Sequence, residues 1–149
     1  MSDHYSYASS VKSRISDEFI NTYFVRPLAG IVVRLLFSTS ITPNQVTIAS
    51  AVVGAVAAFF YLDGAASKNF LAGICIVFKD ILDSADGQLA RARRRYSRAG
   101  RFLDSIGDFF VNLFVFVAIG LALYRSSGAL SHLALSAMAF LGTTLLVSY

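Results

Sequence analysis

The chain has 149 residues, 56% of them hydrophobic and 15% charged, with a formal net charge of +4. Its mean hydropathy of +0.62 is too high for a soluble domain of this size, in which about half the residues are apolar; the length suits one domain. The basic excess fits cytoplasmic loops and anionic lipid head groups better than nucleic acid, so no nucleic-acid partner is expected.

The first 40 residues carry charges throughout and lack an early apolar core followed by small residues, so no cleavable leader is expected. Val11, Ile15, Phe19 and Tyr23 recur at every fourth position. That spacing predicts an amphipathic helix over 10–23 lying at a membrane surface; a partner-binding surface helix is the alternative. Residues 27–37 form a second apolar piece, interrupted by Arg34 and too short to cross roughly 30 Å of hydrocarbon. It is expected to continue along the interface. Residues 38–44 form a turn, and Thr42 before Pro43 suits a helix start. The first membrane span is predicted over 43–62, with Asp63-Gly64 and Ser67-Lys68 as its exit loop.

The next apolar run, 70–78, has only nine residues before Lys79 and Asp80. A spanning helix needs about 20. To cross, this one must continue past Asp80, Asp83 and Asp86 to about Ala92, giving a span over 69–92. Its acids must then line a hydrated interior rather than face lipid. Arg91, Arg93, Arg94, Arg95, Arg98 and Arg101 follow with no intervening acid, which makes that loop cytoplasmic. A third span is predicted over 101–124, with Asp104 and Asp108 in its first two turns. Residues 125–128 form an outer loop, and a fourth span covers 130–149. The expected fold is all-α: one membrane domain over 1–149, a multi-pass transmembrane helix bundle with an N-terminal interfacial segment. Cys75 falls in an apolar run and is expected to be buried and inert. His4 and His132 are too far apart to suggest zinc.

The chemistry concentrates in Asp83, Asp86, Asp104 and Asp108. Four carboxylates within 26 residues repel one another unless positive charge sits between them, and one or two hard divalent cations would supply it. Residues three or four apart share a helix face. Asp83, Asp86, Gly87, Ala90 and Arg91 thus form one stripe, and Gly100, Asp104 and Asp108 another on the next helix. An antiparallel turn between them lets the carboxylates converge, where two metals about 4 Å apart could clamp an in-line displacement. Gly87, Ala90 and Gly100 leave room for a flat group to approach the backbone; close helix packing is the other use of such residues. Arg91, the cation nearest the acids, can hold a pyrophosphate oxygen or brace an aspartate. Asp80 is read as solvated or paired with Lys79.

Asp83, Asp86, Gly87, Ala90, Arg91, Gly100, Asp104 and Asp108 satisfy D-x-x-D-G-x-x-A-R-x8-G-x3-D-x3-D at every fixed position. This resembles the signature of the CDP-alcohol phosphotransferase family of integral membrane enzymes. Thr42-Pro43-Asn44-Gln45-Val46-Thr47 is a weaker echo, similar to the stretch that opens the family's first span. The resemblance implies transfer of a phosphatidyl group from a CDP-alcohol, with CDP-diacylglycerol the expected donor, to an alcohol acceptor, with release of CMP, in phospholipid synthesis. It implies Mg²⁺ or Mn²⁺, two per site, held by Asp83, Asp86, Asp104 and Asp108, with Asp108 also the general base. Gly87, Ala90, Arg91 and Gly100 would bind the CDP-alcohol. The resemblance further implies a homodimer in the cell membrane, with the site on the cytoplasmic side. Family members usually have six spans, so the last two would be missing from these four. Arg98 and Arg101 favour a phosphorylated acceptor. A divalent-cation channel or transporter is the rival reading, although ion coordination does not require Gly87, Ala90 or Gly100. A non-catalytic scaffold is a further rival, against which the intact set of aspartates argues.

Overall fold

The protein is represented by a computed structural model that describes residues 21–94 and 97–147. Among these residues it is all-helical, with no strand. A π-helical turn, Asn21–Val25, leads into α1 (Arg26–Leu36), α2 (Pro43–Tyr61), α3 (Ala66–Ala92), α4 (Arg98–Ser127) and α5 (Ser131–Val147). Most of the predicted surface helix over 10–23 lies outside the described residues. The chain divides into two compact units. One comprises the described parts of 1–50 and 78–104, the other 51–77 and the described parts of 105–149.

In the first unit, α1 starts with Pro27 in its first turn, where a missing N–H costs no helical bond. Arg26, Ala29, Gly30 and Val33 form its buried face, at the i, i+3, i+4, i+7 spacing of one helical side. Ala29 and Val33 join Val46 of α2 and Ile81, Ala85 and Leu89 of α3 in one apolar cluster. Truncating Leu89, fully buried there, to alanine costs about 2–5 kcal/mol. The buried Gln88 on the same helix donates through Nε2 to the Arg26 carbonyl at 3.2 Å, fastening α3 to the start of α1.

The turn into α2 is a reciprocal cap. The Thr42 N–H donates to Gln45 Oε1 at 2.8 Å and the Gln45 N–H to Thr42 Oγ1 at 3.3 Å, which satisfies two amides that the helix leaves open. At the far end of α3, Arg93 reaches back over this turn. Its guanidinium donates to the carbonyls of Leu36 (2.6 Å), Phe37 (2.9 Å) and Thr39 (2.7 Å), and to that of Ile41. Arg94, with φ 51°, then turns the chain out of α3 through the left-handed region that commonly ends helices.

In the second unit, Gly54 of α2 lies so close to Val111 of α4 that a Cβ there would sit 2.5 Å from the valine Cγ1. Membrane helices use small residues for such approaches. Phe140 of α5 stacks edge-on with Phe109 of α4, ring centroids 5.4 Å apart at 67°, and with Phe116 at 6.4 Å and 60°. Asp63 and Lys68 meet at 2.6 Å. The Lys68 hydrogen bond, ahead of its charge, holds the Asp63 carboxyl below its ordinary range.

Helix ends differ slightly from the sequence expectation. Ser67 and Lys68 belong to the first turn of α3 rather than to a loop. Helix α4 starts at Arg98, three residues before the predicted span, with the Ser97 hydroxyl accepting the Gly100 N–H at 2.8 Å as an N-cap. It continues to Ser127, so Arg125 is helical and donates to the Leu62 carbonyl at 3.4 Å. Helices α2 and α4 are long and apolar enough to cross a membrane, whereas the apolar part of α5, Ser131–Leu146, is shorter. Helix α3 runs unbroken for 27 residues through Lys79, Asp80, Asp83 and Asp86.

Candidate metal centre

Two helices supply the acids. The stretch of α3 that packs against α1 through Ile81, Ala85 and Leu89 carries Asp83 and Asp86 on another side. The first turns of α4 carry Asp104, with Asp108 one turn on. Asp83 and Asp104, both in the first unit, offer carboxylate oxygens within 4.8 Å of one another, and so do Asp104 and Asp108 along α4. The three side chains are partly buried. Oxygens this close, on groups that share a charge sign, suit a hard divalent cation.

Asp86 is more deeply placed, 7% exposed, and stands outside that set. Its Oδ2 accepts a hydrogen bond from the hydroxyl of Thr47, which is also buried. Thr47 thus links the first turns of α2 to the acidic stripe. Lys79, only 8% exposed, lies 3.9 Å from Asp83 Oδ1 and 3.8 Å from Asp80 Oδ1. Asp80 is exposed, at the periphery.

The small residues divide. At Gly87 an added Cβ would meet the Arg91 guanidinium, 3.4 and 3.7 Å from its two terminal nitrogens, and these and the Arg91 Cζ are its three nearest neighbours. That is ordinary contact with a flexible side chain, so close packing of another helix does not explain glycine here. At Gly100 the Cβ would lie 2.8 Å from Asn44 Oδ1 and 2.9 Å from Ser97 Oγ. Glycine there admits the first turn of α2 and the cap of α4. Ala90 and Arg91 are half-buried and Arg98 and Arg101 exposed. Cys75 is free and half-buried.

Sequence reasoning gave Gln88 no role, placed Asn44 and Thr47 only in the helix-opening stretch, paired Lys79 only with Asp80, and read Arg93 only as part of a cytoplasmic basic loop. One signal was available: Thr42 followed three residues later by Gln45 is a capping-box pattern. It fixes the register that brings Asn44 and Thr47 toward α3 and α4.

Carboxylates from consecutive helices, with small residues and an arginine beside them, define a helical protein whose acidic cluster could hold a metal ion. A family model described as CDP-alcohol phosphatidyltransferase matches residues 40–148, and the chain belongs to that family. A bifunctional IPC transferase and DIPP synthase of Archaeoglobus fulgidus is 39% identical over 98 residues, 64% of this chain and 18% of that protein. The protein of the same description in Thermococcus kodakarensis is 36% identical over 96 residues, 64% of this chain and 21% of the relative. An archaetidylinositol phosphate synthase of Pyrococcus horikoshii is 42% identical over 76 residues, half of this chain and 38% of the relative. The matched stretch therefore spans well under half the length of each relative. Family membership and two helices of spanning length together identify a membrane protein.

Proposed function

We propose that this protein transfers a phosphatidyl group from CDP-diacylglycerol to a hydroxyl of an inositol phosphate, releasing CMP, in phospholipid synthesis. The observation that carries the reading is the meeting of Asp83 and Asp104 within 4.8 Å, inside a motif matched at all eight fixed positions. The name of the Pyrococcus horikoshii relative, archaetidylinositol phosphate synthase, supports the acceptor. So do Arg98 and Arg101, two exposed cations in the first turn of α4.

In this reading Asp83, Asp86, Asp104 and Asp108 hold Mg²⁺ or Mn²⁺, two ions per site. Bound there, the metal supplies charge stabilisation for the transferring phosphoryl group. Gly87 and Ala90 let the cytidine approach the helix, and Arg91 pairs with a pyrophosphate oxygen. Asp108 takes the proton of the acceptor hydroxyl as its oxygen bonds to phosphorus. The bond from that phosphorus to the CMP phosphate oxygen breaks, and CMP leaves with the electron pair. Helices α2 to α5 cross the cell membrane, in a homodimer. The arginines from Arg91 to Arg101 support a cytoplasmic site.

The test is to incubate the full chain in detergent with CDP-diacylglycerol, Mn²⁺ or Mg²⁺, and inositol phosphate, glycerol phosphate or serine, and to measure CMP. Release that depends on inositol phosphate is expected. Release with another acceptor alone would redirect the specificity, and none with any acceptor would overturn the reading.

A further inference from the structure

We propose that Thr47 is a positioning residue for the metal centre, holding Asp86 in the direction its role as ligand requires; this rests on the function proposed above. The two residues are 39 positions apart, on α2 and α3, and both are buried. The Thr47 hydroxyl has two acceptors in reach, the Pro43 carbonyl at 3.2 Å and Asp86 Oδ2. It carries one proton, and an ionised carboxylate can only accept. The charge-assisted bond is about twice as strong as a neutral one, so the proton goes to Asp86. Fixing Oδ2 from a separate helix fixes where Oδ1 points.

The support behind Thr47 is built in steps. Arg93 ties down the carbonyls before α2, and the Thr42–Gln45 cap starts the helix. Outer partners that orient metal ligands are worth about 10–100-fold in metal affinity or activity.

The experiment is a Mn²⁺ titration of the purified full chain, without substrates, read by the electron paramagnetic resonance of free Mn²⁺ and paired with thermal unfolding. Thr47→Val keeps the side-chain shape and removes the hydroxyl; its Kd for Mn²⁺ is expected to rise about 10-fold or more. Thr47→Ser restores the hydroxyl and is expected to stay near wild type. Ser50→Ala removes a neighbouring buried hydroxyl that does not touch Asp86, and should leave the Kd unchanged. If Thr47→Val does not fold, Thr47→Ala removes the same hydroxyl without the branched carbon. A folded hydroxyl-free variant with wild-type Mn²⁺ affinity overturns the role of Thr47 and leaves the function reading standing. A wild-type chain that binds no Mn²⁺ overturns both.

Discussion

Arg93 and Leu36, 57 residues apart, are joined by a 2.6 Å hydrogen bond from the guanidinium to the carbonyl that closes α1. The same guanidinium serves the next three carbonyl partners along the turn, so one side chain closes the end of α1 and sets the start of α2. A cation is also favoured at a helix C-terminus. Arg93→Ala is expected to lower stability in detergent by about 1–3 kcal/mol, since hydrogen bonds to charged groups are the stronger kind and this one is partly exposed. Arg93→Lys should recover only part, because an ammonium lacks the planar fork. Denaturant unfolding of the two variants tests this, and an unchanged midpoint in Arg93→Ala would count against it.

Removing charge from the acids should separate binding from turnover. Asp83→Asn and Asp104→Asn should weaken Mn²⁺ binding, because an amide keeps the shape without the charge. Asp108→Asn should slow CMP release far more than it weakens CDP-diacylglycerol binding. Excess chelator should abolish release and added Mg²⁺ or Mn²⁺ restore it. Full turnover in chelator would exclude the metal role.

Gly87→Leu should leave the protein folded and block the donor. Leucine is the better helix former by up to about 1 kcal/mol, and the nearest atoms belong to the flexible Arg91 side chain. Equilibrium binding of CDP-diacylglycerol measures it; wild-type affinity in the folded variant would assign Gly87 no part in the site.

Asp63 should titrate below an ordinary carboxylate, because Lys68 donates to it, and Lys68→Met should raise it. Its pKa is lowered on folding, so what the pair adds to stability is present above the unfolded pKa and fades as pH falls through the folded one. Both groups are exposed and screened, so the check is carbon-13 NMR of the carboxyl rather than unfolding. Equal midpoints in wild type and Lys68→Met would show that the pair does not form.

Accessibility locates the acids relative to the bilayer. With Cys75 replaced, Asp83→Cys and Asp86→Cys should react with a small charged thiol reagent from the cytoplasmic side. Ile74→Cys, in the apolar run, should react poorly. Labelling of the first two only from the outer face would invert the proposed topology.

The helices were legible because apolar runs bounded by Thr-Pro, Asp-Gly and arginine clusters leave few alternatives. The acidic stripe was legible because its spacing matches the helical repeat. Helix α4 begins three residues before the span read from the sequence, because an N-cap at Ser97 can carry a helix beyond its apolar part, into Arg98 and Arg101. Arg93 could not be distinguished from its neighbours in a basic run, since its partners lie 52 to 57 residues upstream. Asp86 reads like Asp83 in sequence. Deeper burial, the hydroxyl brought to Asp86 by α2 and the Lys79 beside Asp83 separate the two.

Helix α3 also bears on how the chain comes to be made. It carries Lys79, Asp80, Asp83 and Asp86 in one uninterrupted stretch. A lysine or aspartate at the centre of a membrane helix adds about 2.5–3.5 kcal/mol to the cost of insertion. On the membrane reading, α3 is therefore a poor passenger by itself when it leaves the ribosome. Its charged side chains are then expected to enter lipid only once they face neighbouring helices or water rather than hydrocarbon. The residues proposed for the site would thereby make the insertion of α3 depend on its neighbours rather than on its own apolarity.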